Sequence, residues 1–266
     1  MKALRLGVAA LLLASVCMAG TKLLVTVVER KSGRPVKGLK AEDFSVFDDG
    51  VPRQVQSLDY SSGPMDIMLL LDTGLLGSVV EPVAENLIGQ LQPNEQMAVV
   101  AFHSAADLIQ DFTSSRELLL RAVASVKYGN NPRALDALYA SITGGFRAST
   151  FRRVIILLTA GMEGPSRVGE IEVVRLARRN GISIYPVYAA GVARSLFENL
   201  ARQTGGACFN LPDMKRSSQE PPGPRIFEVM RSYYTLTLAG NPSLEGKLRI
   251  EVKRPEKLIV SGLPLE

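Results

Sequence analysis

The chain has no tryptophan, and aromatic residues make up only 6% of it. Surfaces that hold sugars or nucleobases rely on aromatic platforms, so those ligands are disfavoured. There is one histidine, His103, and there are two cysteines, Cys17 and Cys208. No cluster of His, Cys and Asp has metal-ligand spacing, which argues against a metal hydrolase. A phosphate loop ending in Gly-Lys-Ser/Thr is absent, and Gly74-Leu75-Leu76-Gly77 is not the GxGxxG of a dinucleotide site. Positive charge is not concentrated either: Arg152-Arg153, Arg175 and Arg178-Arg179 alternate with acids along the chain. Phosphate-backbone binding needs clustered charge, so no nucleic-acid partner is expected. Apolar runs stop well short of the roughly 20 residues of a membrane helix, so no membrane span is expected. What remains is globular by composition, with 46% hydrophobic and 21% charged residues among 266.

The first residues are a basic head (Lys2, Arg5), an apolar core from Leu6 to Val16, and the small residues Ala19-Gly20. This pattern predicts a secretory signal peptide at 1–19, and hence a secreted or periplasmic protein. A lipoprotein anchored at Cys17 is the alternative, disfavoured by the bulk of Val16. Setting aside Lys2 and Arg5 takes the 31 basic residues to 29, against 26 acidic ones. Cys208 then stands alone, without a disulfide partner, and is expected to be a buried thiol.

The apolar run Ile67–Leu71 ends at a carboxylate, Asp72, and a turn, Thr73-Gly74. A short run of this kind predicts a strand buried on both faces. Arg153–Thr159 and Ile182–Tyr188 have the same character, and Gln96–Phe102 is a further strand. Helical spacing appears at Val79–Leu91, from Ser115 to about Val126, and at Ala134–Phe146, Val168–Asn180 and Ser195–Gln203. Strands alternating with helices imply a parallel sheet covered on both faces. The ends of the chain read differently. Thr21–Glu29, Phe44–Phe47 and Val51–Leu58 are strands, with a hairpin turn at Asp48-Asp49-Gly50. Tyr233–Ala239, Lys247–Lys253 and Leu258–Ser261 are strands as well. Neither group closes a core alone, so the two are expected to pair. The organisation is therefore an N-terminal β segment (20–62), an α/β domain (63–213), a proline-rich linker (214–224), and a C-terminal β segment (225–266) packing with the first.

Several stretches resemble the von Willebrand factor A (vWA)-related domains of exported bacterial proteins, especially of acidobacterial type. They are LLLDTG at 69–74, VIILLTAG at 154–161, and ISIYPVY at 182–188 with LARQTGGACF at 200–209. The flanks GRPVKGLKAEDFSVFDDG (33–50) and SYYTLTLAGNP with LRIEVKRP (within 232–255) match too. The resemblance covers nearly the whole chain after the leader. It implies a Rossmann-like, doubly wound, mostly parallel α/β sheet inserted in a small β-sandwich-like domain built from both termini.

In that family the top of the sheet often carries a metal-ion-dependent adhesion site, reading Asp-x-Ser-x-Ser in one loop, with a Thr and an Asp from two others. Mg²⁺ wants octahedral oxygen donors. Here Asp72 is kept, but the serine positions are Gly74 and Leu76, the threonine position falls on Pro132 or Arg133, and the aspartate position is Ala160. The site is expected to be degenerate and to bind no metal, with Asp72 held by turn N–H groups or by Arg133. Ser78 and Glu163 are the substitutes a retained Mg²⁺ site would need.

The function implied is a non-enzymatic, adhesion-type module that binds another protein. Its candidate contacts are Asp72, Thr73, Asn131, Arg133, Met162, Glu163 and Arg167, in the loops after Asp72, at 130–133 and at 161–167. A metal-dependent binder using Asp72 and a structural envelope component assembling through an unpaired Thr21–Glu29 edge are the alternatives. An enzyme is disfavoured: His103 and Ser104 are adjacent, strand neighbours point to opposite faces, and no third group orients them.

Overall fold

The computed structural model describes residues 20–129, 131–146, 149, 151–240, 242–244 and 246–265. The signal-peptide reading of 1–19, Cys17 included, lies outside them, as does Asn130.

The central sheet has six strands in the order β10-β9-β8-β5-β6-β7. These are β5 (Met65–Asp72), β6 (Gln96–Phe102), β7 (Ala106–Thr113), β8 (Arg152–Thr159), β9 (Ile182–Tyr188) and β10 (Phe209–Asn210). All pair in parallel except β7, a bulged antiparallel edge. Every residue of β5 is buried. Its alternation sends Ile67, Leu69 and Leu71 to one face and Met68 and Leu70 to the other. On the first face lie α1 (Glu81–Ile88), α2 (Arg116–Ala124) and α7 (Pro222–Met230). On the second lie α3 (Ala134–Gly144), α4 (Glu170–Arg179) and α5 (Arg194–Gln203). This is the doubly wound arrangement the strand–helix alternation implied. From β5 the chain first steps to β6 and later returns to build β8 on β5's other side. The boundary between β5 and β8 is therefore the topological switch point, where such sheets form their ligand crevice. Asp72 ends the strand on one side of that boundary.

The chain termini build the second body. Its four-stranded sheet runs β13-β1-β11-β4, and a three-stranded sheet runs β12-β2-β3. The strands are β1 (Thr21–Glu29), β2 (Phe44–Asp48), β3 (Val51–Arg53), β4 (Val55–Ser61), β11 (Tyr233–Leu238), β12 (Leu248–Val252) and β13 (Leu258–Leu265). Leu23, Val25 and Val27 of β1 share a core with Phe44, Val46, Leu236 and Ile250 from the two sheets. The other face of β1 meets the α/β body: Val28 joins that core, and the Thr26 hydroxyl donates to Gly205 O at 2.7 Å. Gly205 has φ +70° and no room for a Cβ, which would lie 2.7 Å from that of Leu263. The four-stranded sheet is thus a middle layer. Below the six-stranded sheet, Arg231 clamps Glu95, whose side chain is 1% exposed, with Nε 3.0 Å from Oε1.

Four expectations change. β1 is not an unpaired edge, because β13 and β11 pair on its two sides. Val51–Leu58 is two strands: β3 pairs with β2 and β4 with β11, so the chain changes sheets at Gln54. The proline-rich segment is no linker. It holds a further helix, α6 (Leu211–Ser217), and the start of α7. Its polar residues serve as caps: Asn210 Oδ1 accepts from Asp213 N at 3.2 Å, and prolines fill first-turn positions where a missing N–H costs nothing. The helix expected from Val79 starts at Glu81, after a 3₁₀ turn at Gly77–Val80.

Candidate functional site

The carboxylate of Asp72 points inward and is 0% exposed. Its Oδ1 accepts from Gly74 N at 2.8 Å. Its Oδ2 accepts from the Thr159 hydroxyl at 2.7 Å and from Ala160 N at 3.0 Å. Arg133 is not among its partners and makes no ion pair among the described residues, so the turn N–H groups hold the carboxylate and the Arg133 pairing is not realised. The turn after Asp72 folds back on it. Gly77 lies so close that a Cβ there would be 2.1 Å from Asp72 O. Thr73, expected as a contact residue, is 1% exposed, and its N–H and hydroxyl both donate to Phe102 O.

The neighbouring loops are sewn to this turn by backbone groups. Gly129 N donates to Thr73 O at 2.8 Å, and Arg133 N to His103 O at 2.8 Å. Gly161, at φ +106°, packs where a Cβ would strike Ala190 O at 1.8 Å. Ala190 N returns a bond to Ala160 O at 2.8 Å.

Glu163 caps α3 from a distant loop. The N-cap residue, Arg133, offers no side-chain bond. Glu163 Oε2 accepts instead from Ala134 N at 2.8 Å, Oε1 from Leu135 N at 3.4 Å, and Ser166 Oγ donates to Oε1. Burial raises its pKa above the ordinary glutamate value, against these bonds. Asp136 answers by accepting from Arg167 N (2.8 Å) and Val168 N (3.0 Å). Gly164 N donates to Pro132 O at 2.7 Å, where a side chain would not fit. The 161–168 loop is therefore locked to α3.

The sequence-derived candidates separate accordingly. Asp72, Thr73 and Glu163 are internal braces. Asn131, Met162 and Arg167 are exposed, and Arg133 is half-buried. Missing from that set are Leu75 (74% exposed), Leu76, Val79 and Val192 (79%). With Met162 they place exposed apolar side chains on the loops after β5, β8 and β9, all at the carboxyl end of the sheet. An aliphatic run inside a loop, Leu75-Leu76, was the available signal. Ser78 is exposed and does not bond Asp72.

His103 and Ser104 do meet: Nδ1 lies 2.9 Å from Ser104 Oγ. They sit in a bend beyond β6, where the opposite-face rule for strands no longer holds. Ser104 N also donates to Nδ1.

This donor set does not suit a hard divalent cation. Asp72 has both carboxylate oxygens committed to protein donors. Gly74, Leu76 and Ala160 bring no side-chain oxygen, and Glu163 is spent on α3.

No protein-family model matches the chain, and no curated protein matches it in sequence. Among solved structures it is similar to proximal thread matrix protein 1 of the mussel byssus, in a form with a zinc-occupied MIDAS motif. The TM-score is 0.56 and the identity 16%, covering 72% of this chain and 50% of that one. A second crystal form of the same protein gives 0.54 and 16%, covering 66% and 49%. The chain thus spans about half the length of that protein. At this identity the likeness shows the fold, the vWA-like doubly wound α/β architecture, and only that.

Proposed function

We propose that the protein is an exported, non-enzymatic module that binds another protein through the carboxyl end of its six-stranded sheet, without a metal. The observation that carries this is the inversion at that end: Asp72 is wholly internal, while Leu75, Leu76, Val79, Met162 and Val192 are exposed around it. Apolar side chains left in water at a pre-braced end favour a dry protein contact. The mussel byssus protein carries zinc at its MIDAS motif. In this chain we read the same end of the fold as having exchanged ionic for apolar recognition. No helix among the described residues is long and apolar enough to cross a membrane. Export rests on the leader pattern at 1–19.

The test is capture of a partner from envelope extract with wild type, with Leu76→Asp/Val192→Asp, and with chelator added. The reading expects one specific partner, lost with the double variant and indifferent to chelator. Loss on chelation that manganese restores would favour the metal-dependent alternative instead.

A further inference from the structure

A cleft of about 360 Å³ opens between the two bodies. It exists because β10 is only two residues long. Among the described residues no further strand pairs with that edge. The turn after β1 (Arg30 to Gly33), α6 and α7 close its sides, and β13 supplies Ile259. Domain junctions are a preferred place for small-molecule sites, and this volume is within their range.

The charges around it do not balance. Glu198 is paired with Arg194 at 2.7 Å, and Asp213 with Arg216 at 3.3 Å. Glu29 accepts from the Ser32 hydroxyl and keeps its charge, so the lining carries five cations against three carboxylates. Arg30, Lys31, Arg202 and Arg225 have no carboxylate at ion-pair distance among the described residues. Arg202 donates only to Asn199, and Arg225 only to Ser217. The Arg225 side chain lies against the β1 turn, with Cδ 3.9 Å from where a Gly33 Cβ would sit. Arg225 therefore lies beside the turn that carries Arg30 and Lys31, and all three line the cleft. The wall beside them is apolar, with Ile259 42% exposed and Met214 partly buried. Met is a pliable wall that adapts to an apolar body.

We propose that this cleft binds a small amphiphilic organic anion, its acid group at Arg30, Lys31 and Arg225 and its apolar body against Met214 and Ile259. Titration calorimetry of the full chain with octanoate tests it, alongside octylamine, octanol and inorganic phosphate. Saturable one-site binding of octanoate is expected, at least tenfold tighter than any of the other three. Arg225→Glu should weaken it at least tenfold. Lys31→Glu, on an exposed side chain that tolerates the change, should weaken it severalfold with the circular dichroism spectrum unchanged. Absence of saturable octanoate binding at millimolar concentration overturns the proposal. So does equal affinity for octylamine or phosphate, or octanoate affinity unmoved in a folded Lys31→Glu.

Discussion

The Thr159 hydroxyl donates to Asp72 Oδ2 at 2.7 Å across the boundary between β8 and β5, where strand order reverses. The carboxylate is a brace between the two strands. Its oxygens also hold the first residue of the loop after β8 and the second residue after β5. Both loops start from this one carboxylate.

Removing it should therefore cost stability. Asp72→Ala leaves a buried hydroxyl and two buried N–H groups without acceptors. Hydrogen bonds to charged groups contribute about 1.5–3 kcal/mol each, and orphaned donors carry their own penalty. A loss of about 3 kcal/mol or more is expected in urea unfolding. Asp72→Asn should lie between, because its amide nitrogen cannot accept from Ala160 N.

Glu163 gives a second, local test. Glu163→Ala removes the cap of α3 and should cost about 1 kcal/mol, the usual cost of losing such a cap. Glu163→Gln keeps a carbonyl acceptor for Ala134 N and should cost less than half of that. Amide exchange at Ala134 and Leu135 should speed up in the alanine variant alone. A purely ligand-contacting glutamate would leave both exchange rates unchanged.

Arg231→Ala strands Glu95 as an uncompensated charge at 1% side-chain exposure. Breaking a buried pair from one side costs about 3–5 kcal/mol. Pairing Arg231→Met with Glu95→Gln should recover most of that, because it removes the charge itself. Chemical denaturation of the two variants beside wild type measures both effects.

Burial, and then the nearby Glu198 charge, push the Cys208 thiol from 9.0 up to about 12. A raised acid pKa means that the folded state holds its proton while the unfolded state releases it. The contribution is complete below about pH 9 and is lost as pH rises towards 12. Wild type should therefore lose stability relative to Cys208→Ala across that window. Maleimide labelling at pH 8 should be slow until denaturant is added.

Much of the architecture could be read from the residues. The unbroken run before Asp72 specifies a strand buried on both faces, and β-branched alternation specifies β1. Asp49 at φ 48° and Gly50 at φ 81° make the hairpin that Asp-Asp-Gly announced. Composition failed where polar residues have local work. The prolines at 221–224 read as a linker because first-turn helix residues and linker residues are the same types. The site was half legible. That Gly74, Leu76 and Ala160 bring no side-chain oxygen was plain. That turn N–H groups hold Asp72 was among the expectations; its bond from the Thr159 hydroxyl was not, because that partner lies 87 positions away. Glu163 finds α3 across 29 positions in the same way. The exposed apolar loops were hidden for a related reason: only the folded chain shows which leucines remain in water.

Thermal unfolding of the full chain with and without 1 mM MgCl₂ or MnCl₂, repeated on Asp72→Ala, tests the metal-free reading most directly. A site of 10 μM affinity would add about 2.7 kcal/mol at that concentration. No stabilisation by either metal is expected in wild type or variant. Stabilisation of the wild type that vanishes with Asp72→Ala would contradict the account.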